Sequence, residues 1–338
     1  MKLKTLAVLL FSTLIAVSCK KEKTEPTETG GVYIAGYQAD SATSRDQATF
    51  WKNGVATTNQ LPGNNSYYAL AIALSGNDVY TTGYENGNTS SPCQVWKNGQ
   101  HQYSLGDAYS NHGNGIAVSG SDVYVAGSTS ENIPGNSYAV IWKNSNPSIL
   151  TSLNNSNGTG CYAIKFSGAD VYAAGAVNGV AKLWKNGTEQ PLTNPAIASA
   201  NVAVVGIAIE SANVYVVGYG GGTFFRVWKN GTPTDISTTG EGYPTSIAVN
   251  GTDVYVGGYE KIAGKWVATY WKNGTVVNIG DPTRNSFVRG IAVKGTDIYA
   301  VGEQRDANDI AAYAAMWKNG TLEIIGKRRS RATAIEVK

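Results

Sequence analysis

The chain has 338 residues with 40 glycines, 20 tyrosines and 8 tryptophans, and its 27 basic side chains nearly balance its 24 acidic ones. Such a composition favours short strands and tight turns over helices. A nearly neutral chain lacks the basic surplus on which nucleic-acid binding depends, so we expect no nucleic-acid partner.

Residues 1–18 predict an export signal. Lys2 and Lys4 precede the apolar run 6–17, which is typical of a signal peptide and too short for a comfortable membrane span. The stretch Ala16-Val17-Ser18-Cys19 resembles a lipoprotein lipobox, although that motif prefers leucine where Ala16 stands. The resemblance implies that Cys19 is lipidated and anchors the protein to a bacterial outer membrane, on the periplasmic or the cell-surface side. The alternative is ordinary secretion with a free cysteine.

Residues 19–31 are predicted to form the lipidated cysteine and a flexible tether, because 20–30 contain no large apolar side chain that could be buried. The Cys-Lys-Lys-Glu start of this segment also resembles surface lipoproteins of the Bacteroidota. The lipid anchor is the only membrane contact that we expect, since no later stretch could span a bilayer.

A Trp-Lys-Asn-Gly turn recurs throughout the remaining sequence. Its seven copies, of which one ends in serine, begin at Trp51, Trp96, Trp142, Trp184, Trp228, Trp271 and Trp317. A period near 44 residues is typical of repeat architectures built from one supersecondary unit.

The third repeat shows the unit. Its strands are predicted at Gly115–Val118, Val123–Gly127, Tyr138–Trp142 and Ser148–Leu153, with tight turns after the first and third. Four antiparallel strands form a sheet with two apolar faces, and neither face can be buried by the sheet alone.

Seven such units predict an all-β, seven-bladed β-propeller over residues 32–338. The chain starts the propeller with a second strand at Val32–Gly36, and Ala332–Val337 matches the missing first strand. We therefore expect the C-terminal strand to pair into the N-terminal blade and close the ring.

Two families of extracellular propeller repeats share these residues. The segment Val254-Tyr255-Val256-Gly257-Gly258-Tyr259 resembles a Kelch-type repeat. The order Gly-Ile-Ala-Val, Val-Tyr-Val-Ala-Gly, Trp-Lys-Asn-Gly is similar to the bacterial repeats called HAF. Neither resemblance implies a catalytic residue, and the Kelch resemblance implies protein or glycan binding at most.

The residues that repeat are predicted to be structural. The tryptophans should pack between blades, and the neighbouring lysines should be solvated at the turns. The aspartates at 78, 122, 170, 253 and 297 should cap their own turns and not bind calcium. Cys93 and Cys161 are expected to be small buried residues, with a disulfide as the alternative. No metal-ligand cluster or cofactor motif occurs, so we expect no cofactor.

The residues that do not repeat are the candidates for ligand binding. They lie in the variable loops of one rim or at the starts of the first strands. The candidates are Tyr68, His112, Asn114, Tyr162, Tyr243, Trp266, Arg284, Phe287, Arg289, Arg305 and Arg331. Aromatic, amide and arginine side chains suit a glycan or a protein, and the basic residues of the last blades favour an anionic ligand.

Two alternatives to a binding module remain open. One is an enzyme acting on a carbohydrate or a lactone, with His112 or the loop carboxylates Glu85, Glu131, Glu241 and Glu303 at the axis. The other is a structural spacer in an envelope assembly. Because no catalytic motif occurs, the sequence assigns no catalytic residue.

Overall fold

A computed structural model describes residues 30–60, 63–87, 91–106, 111–130, 137–151, 159–193, 203–219, 224–238 and 240–338. These residues form seven four-stranded antiparallel sheets, the blades of a propeller, as the sequence predicts. Nowhere in the described ranges is there a helix of the length and apolarity needed to span a membrane.

The strands are numbered in chain order. Blade 1 contains β28 (Ser330–Val337), β1 (Val32–Ala39), β2 (Asp46–Lys52) and β3 (Val55–Thr58); blade 2 contains β4 (Ser66–Ser75), β5 (Asp78–Asn86), β6 (Cys93–Lys97) and β7 (Gln100–Leu105). Blade 3 contains β8 (Asn111–Ser119), β9 (Asp122–Thr129), β10 (Tyr138–Lys143) and β11 (Asn146–Ile149); blade 4 contains β12 (Gly160–Ser167), β13 (Asp170–Val177), β14 (Val180–Lys185) and β15 (Thr188–Gln190). Blade 5 contains β16 (Ala203–Glu210), β17 (Asn213–Tyr219), β18 (Phe224–Lys229) and β19 (Thr232–Ser237); blade 6 contains β20 (Gly242–Asn250), β21 (Asp253–Ile262), β22 (Lys265–Lys272) and β23 (Thr275–Asn278). Blade 7 contains β24 (Ser286–Lys294), β25 (Asp297–Arg305), β26 (Ala312–Lys318) and β27 (Thr321–Arg328).

Ring closure follows the sequence prediction. Strand β28 pairs antiparallel with β1, so the C-terminal strand is the innermost strand of blade 1. In blade 3 the fourth strand begins earlier than predicted, at Asn146, and pairs with β10 up to Ile149. Because β1 pairs with β2 on one side and with β28 on the other, it has no free edge.

The ring has two different rims. The hairpin rim carries the Trp-Lys-Asn-Gly turns, in which the predicted positive φ angles are confirmed, for example 50° at Asn53 and 80° at Gly54. The opposite rim, here called the mouth rim, carries the starts of the innermost strands and the ends of the second strands. Gly31 lies at the hairpin rim, where its N–H donates to the carbonyl oxygen of Lys338 at 2.9 Å.

The repeated aspartates do not cap their own turns, so that prediction is wrong. In blade 2, Asp78 accepts a hydrogen bond from the side-chain amide of Asn98 at 2.8 Å and pairs with Lys97 at 2.8 Å. Lys97 also lies 5.4 Å from the centroid of the Tyr80 ring. The aspartate therefore ties the first hairpin of the blade to the second, and the lysine is held between a carboxylate and an aromatic face.

The seven repeated tryptophans lie between blades, at most 3% exposed, which confirms their structural role. Trp228, for example, packs into the core that it shares with Leu183 and Val204. Cys93 and Cys161 are buried free thiols, and burial raises the pKa of each to about 12. Neither thiol is therefore poised for chemistry.

One β-bulge occurs in the innermost strand of every blade and explains the repeated glycine of the second strand. The bulge directs a carbonyl oxygen of the innermost strand toward the second strand, onto the place where a Cβ would stand. A Cβ on Gly83 would lie 1.8 Å from the carbonyl oxygen of Tyr68, and one on Gly302 would lie 1.8 Å from that of Phe287. The glycines are Gly36, Gly83, Gly127, Gly175, Gly218, Gly258 and Gly302. Only glycine fits there, because the obstructing atom belongs to the backbone.

Candidate ligand-binding site

The bulges build a ring of seven divergent side chains around the propeller axis. Each bulge inserts one extra residue between two residues of the innermost strand that pair with consecutive residues of the second strand. The bulge residues are Leu70, Asn114, Tyr162, Val205, Thr245, Arg289 and Thr333. All seven line one axial cavity of about 250 Å³. The same backbone irregularity therefore presents one side chain from each blade to a common space, here called the bulge ring.

Three polar members of the bulge ring connect neighbouring blades. Asn114 donates to the carbonyl oxygen of Cys161 at 3.1 Å, and Thr245 donates to that of Val288 at 2.9 Å. Thr333 donates in the same way to Ala69 at 2.8 Å. The amide N–H of Asn114 is thus partly committed to the fold, although the sequence places this residue among the ligand contacts.

Toward the mouth rim the axial cavity widens into a cup of about 440 Å³. Tyr37, Tyr68 and Tyr84 form one wall, and Arg289 and Arg331 contribute charge. The ring of Tyr68 stacks on that of Tyr84 with centroids 5.0 Å apart and meets the ring of Tyr37 edge-on at 4.7 Å. The cup thus combines aromatic faces with guanidinium groups, the side chains that bind planar apolar faces and anions.

The tyrosines of the cup remain protonated over the physiological pH range. Burial, together with the hydrogen bond that Tyr68 donates to Asp46 at 2.9 Å, raises the pKa of Tyr68 to about 12. Burial also raises the pKa of Tyr37 and of Tyr84. His112 extends this wall, 4.7 Å from the ring of Tyr84, and burial lowers its pKa, which favours the neutral imidazole.

Three arginines converge on a fully buried carboxylate at the edge of the cup. Glu303 is 0% exposed, and its oxygens lie 3.9 Å from Arg289 and 3.7 Å from Arg305, with Arg331 closer still. These contacts lack hydrogen-bond geometry, so within the described part of the chain neither oxygen has a hydrogen-bond donor. The arginine side chains are 29–37% exposed. The carboxylate therefore holds the guanidinium groups together by charge while leaving them access to solvent.

A second aromatic group continues the mouth rim over blades 6 and 7. Tyr259 lies at its centre, with its ring 5.3 Å from Trp266 and 4.9 Å from Phe287. Tyr243 contacts both Tyr259, at 5.5 Å, and Trp266, at 5.6 Å. The guanidinium carbon of Arg289 lies 5.6 Å from the centre of the Tyr259 ring, so this arginine links the second group to the cup.

A recess of about 260 Å³ opens beside the cup between blades 7 and 1. It shares Tyr37, Tyr68 and Arg331 with the cup and adds Arg305 and Arg329. Arg329 lies 3.7 Å from Asp46, which offsets one of these charges. Cup and side recess form a continuous surface along which an extended anionic ligand could lie.

The structure brings together most of the candidates that the sequence proposes. Tyr68, Tyr162, Arg289 and Arg331 line the cup or the axial cavity, and Arg305 lines the side recess. Arg284 differs, because it is exposed in a turn and its ion-pair partner is Asp281 of the same turn, at 3.8 Å.

The loop carboxylates have local partners. Glu85 accepts a hydrogen bond from Asn65 at 2.5 Å, and Glu241 accepts one from Lys261 at 2.9 Å. Glu303 lies among the arginines, while Glu131, like Cys19, falls outside the described residues. No group of three or more His, Cys, Asp or Glu side chains in the described ranges could hold a metal ion.

Sequence reasoning missed Tyr37, Tyr84 and Asp46. Both tyrosines occupy the position that directly follows the repeated glycine of the second strand, where Ser128 stands in blade 3 and Ala176 in blade 4. Comparing this one position among the repeats would have shown it to be variable and therefore a candidate.

Comparisons with known proteins support the fold and no activity. No protein-family model matches the chain, and no curated protein matches it in sequence. Among solved structures, a Lactobacillus plantarum protein is similar with a TM-score of 0.52 and 13% identity, over 91% of this chain and 99% of that one. A candidate 6-phosphogluconolactonase from Bacteroides fragilis has a TM-score of 0.50 and 10% identity over 93% of this chain and 99% of its own. The computationally designed protein Ika8 has a TM-score of 0.50 and 17% identity over 86% of this chain and 85% of its own. Likeness at these identities shows a propeller and no activity.

Proposed function

We propose that the propeller is a binding module for an anionic glycan, which it takes up in the cup at the mouth rim. The observation that carries the proposal is the pair Arg289 and Arg331, which line an aromatic cup and are held there around the buried carboxylate of Glu303. A sugar ring packs through its apolar face on tyrosine, and a uronate carboxylate accepts paired N–H groups from arginine.

The charge balance of the cluster supports an anionic ligand over a neutral one. Three arginines around one glutamate leave two surplus positive charges, of which Asp309 offsets one from 3.6 Å of Arg305. Each guanidinium group has about five N–H donors, whereas one carboxylate offers about four acceptor sites. Donors therefore remain available for a ligand that brings its own negative charge.

Replacing Arg331 with glutamine is expected to weaken the binding of tetragalacturonate by about 10- to 100-fold, the effect of one lost charge-assisted hydrogen bond. Calorimetric titration at low salt measures this loss. The methyl-esterified tetramer, which has the same rings without the charges, should bind the unaltered protein weakly.

The matched control is Arg284→Gln, which removes an arginine of the same rim whose partner is Asp281. It should leave the affinity unchanged. Equal losses from both substitutions would show that only the general charge of the rim matters. Binding of acidic peptides with the same dependence on Arg331, but of no uronate, would assign the cup to a protein ligand.

We also propose that Cys19 is lipidated and tethers the propeller to the outer membrane, because the signal-like residues 1–18 end at a lipobox-like cysteine. Replacing Cys19 with serine is expected to move the protein from the membrane fraction to the soluble fraction of the exporting bacterium. The control is Cys161→Ala, at a buried thiol of blade 4, which should leave the protein in the membrane fraction. Membrane recovery of the Cys19 variant would contradict lipidation.

The blades are proposed to be divergent extracellular repeats of the Kelch-like or HAF type. The supporting observation is the seven-fold repetition of the second-strand glycine and of the buried tryptophan. Superposing single blades on solved Kelch blades would test this, since the glycine and the tryptophan should then coincide in space.

A further inference from the structure

Two charged side chains interrupt an alanine pattern below the bulge ring. In five of the seven blades the residue three positions after the bulge residue is an alanine. These residues are Ala73, Ala117, Ala208, Ala248 and Ala292. Blade 4 has Lys165 at this position, and blade 1 has Glu336. Both line the axial cavity, and none of the five alanines does.

Lys165 and Glu336 form an ion pair although their blades are not neighbours. Strand β12 of blade 4 packs against β8 and β16, and β28 of blade 1 packs against β24 and β4. A contact between blades 4 and 1 must therefore cross the lumen. Three residues of a strand correspond to about 10 Å. The Lys165–Glu336 pair therefore lies about 10 Å from the bulge ring, on the side of the hairpin rim.

We infer that the Lys165–Glu336 pair closes the axial cavity on the side of the hairpin rim, so that the cup above it is blind. Such a cup recognises the terminal unit of an acidic glycan chain and not an internal segment. This inference rests on the proposed function of the cup. An internal segment could enter a blind cup only as a folded loop, whereas a chain end can enter directly. The bulge residue Arg289 would then hold the terminal carboxylate, while the rest of the chain leaves through the side recess past Arg305.

A length series of one uronate tests the inference. Tetragalacturonate and a long polygalacturonate are titrated into the protein, with concentrations expressed per chain end. End recognition predicts the same affinity per chain end for both. Affinity that grows with the number of internal units would contradict it.

The floor itself supplies a second test, because its two charges have opposite signs. Glu336→Ala frees the ammonium group of Lys165 and should strengthen tetragalacturonate binding about 2- to 10-fold, as expected for a charge about 10 Å away at low salt. Lys165→Ala frees the carboxylate of Glu336 and should weaken binding by a similar factor. The double variant has alanine in all seven blades and should return to the original affinity.

The outcomes separate this inference from the proposal on which it depends. If no acidic oligosaccharide binds, the proposed function is wrong and the inference falls with it. If uronates bind through internal units, and the two single variants leave the affinity unchanged, the inference alone is wrong. Opposite shifts in the two single variants, together with equal affinity per chain end, would establish it.

Discussion

Replacing Gly302 with alanine is expected to lower the free energy of unfolding by about 3 kcal/mol, the upper end of the range for overpacking. The new Cβ would lie 1.8 Å from the carbonyl oxygen of Phe287, two residues before the bulge at Arg289. Because the obstructing atom is backbone, relief requires the bulge to straighten, and a straightened strand would no longer present Arg289 in the same direction. Urea unfolding measures the loss, and tetragalacturonate affinity should fall with it.

The control is Gly240→Ala, whose Cβ would lie 3.6 Å from the carbonyl oxygen of Lys261, an ordinary contact. This substitution should leave both the unfolding midpoint and the affinity unchanged. An unaltered midpoint for Gly302→Ala would show that the bulge and the glycine are not coupled.

Replacing Trp228 with alanine is expected to cost about 3–5 kcal/mol of unfolding free energy, because the substitution leaves a cavity between blades 4 and 5. The indole is 0% exposed and packs in one core with Leu183 and Val204. Its N–H donates to the carbonyl oxygen of Thr193 at 2.9 Å, so the substitution also removes a hydrogen bond between a blade and the preceding connection.

A pair of milder substitutions separates these two contributions. Within the described residues the buried indole N–H of Trp317 has no acceptor, so Trp317→Phe removes volume alone. Trp228→Phe removes the same volume and the hydrogen bond to Thr193. Trp228→Phe should therefore cost about 1 kcal/mol more, by the same unfolding measurement. Equal costs would mean that the hydrogen bond contributes nothing to stability.

The fold could be predicted from the sequence because every blade carries the same turn motif at nearly the same spacing. The Asn-Gly turn after Trp51 and its counterparts fix the hairpins, and the period fixes the unit and its number. The role of the aspartates could not be predicted, because the partners of Asp78 lie on the next hairpin, about twenty residues away. Local sequence suggests a turn cap, and only the paired strands bring Asn98 within reach.

The sequence predicted which residue types form the site but not how these residues lie relative to one another. The sequence identified Arg289, Arg305 and Arg331 as unusual, but their meeting at Glu303 depends on ring closure between blades 7 and 1. The bulge residue itself gave no recognisable signal, since its type varies among the blades, and the bulge shows in the sequence only through the repeated glycine of the second strand. By contrast, Lys165 could have been found by aligning the repeats on their alanines.

Gly31 places the point where the chain enters the propeller on the rim opposite the cup. The chain enters the propeller at the hairpin rim, and the cup opens on the other side of the ring. The twelve residues from Cys19 to Gly30 reach at most roughly 40 Å when extended. With the anchor proposed at Cys19, the propeller would rest with its turns toward the lipid headgroups and its arginines toward the surrounding water. Polymers arriving from the medium could then enter the cup directly, without passing between the propeller and the bilayer.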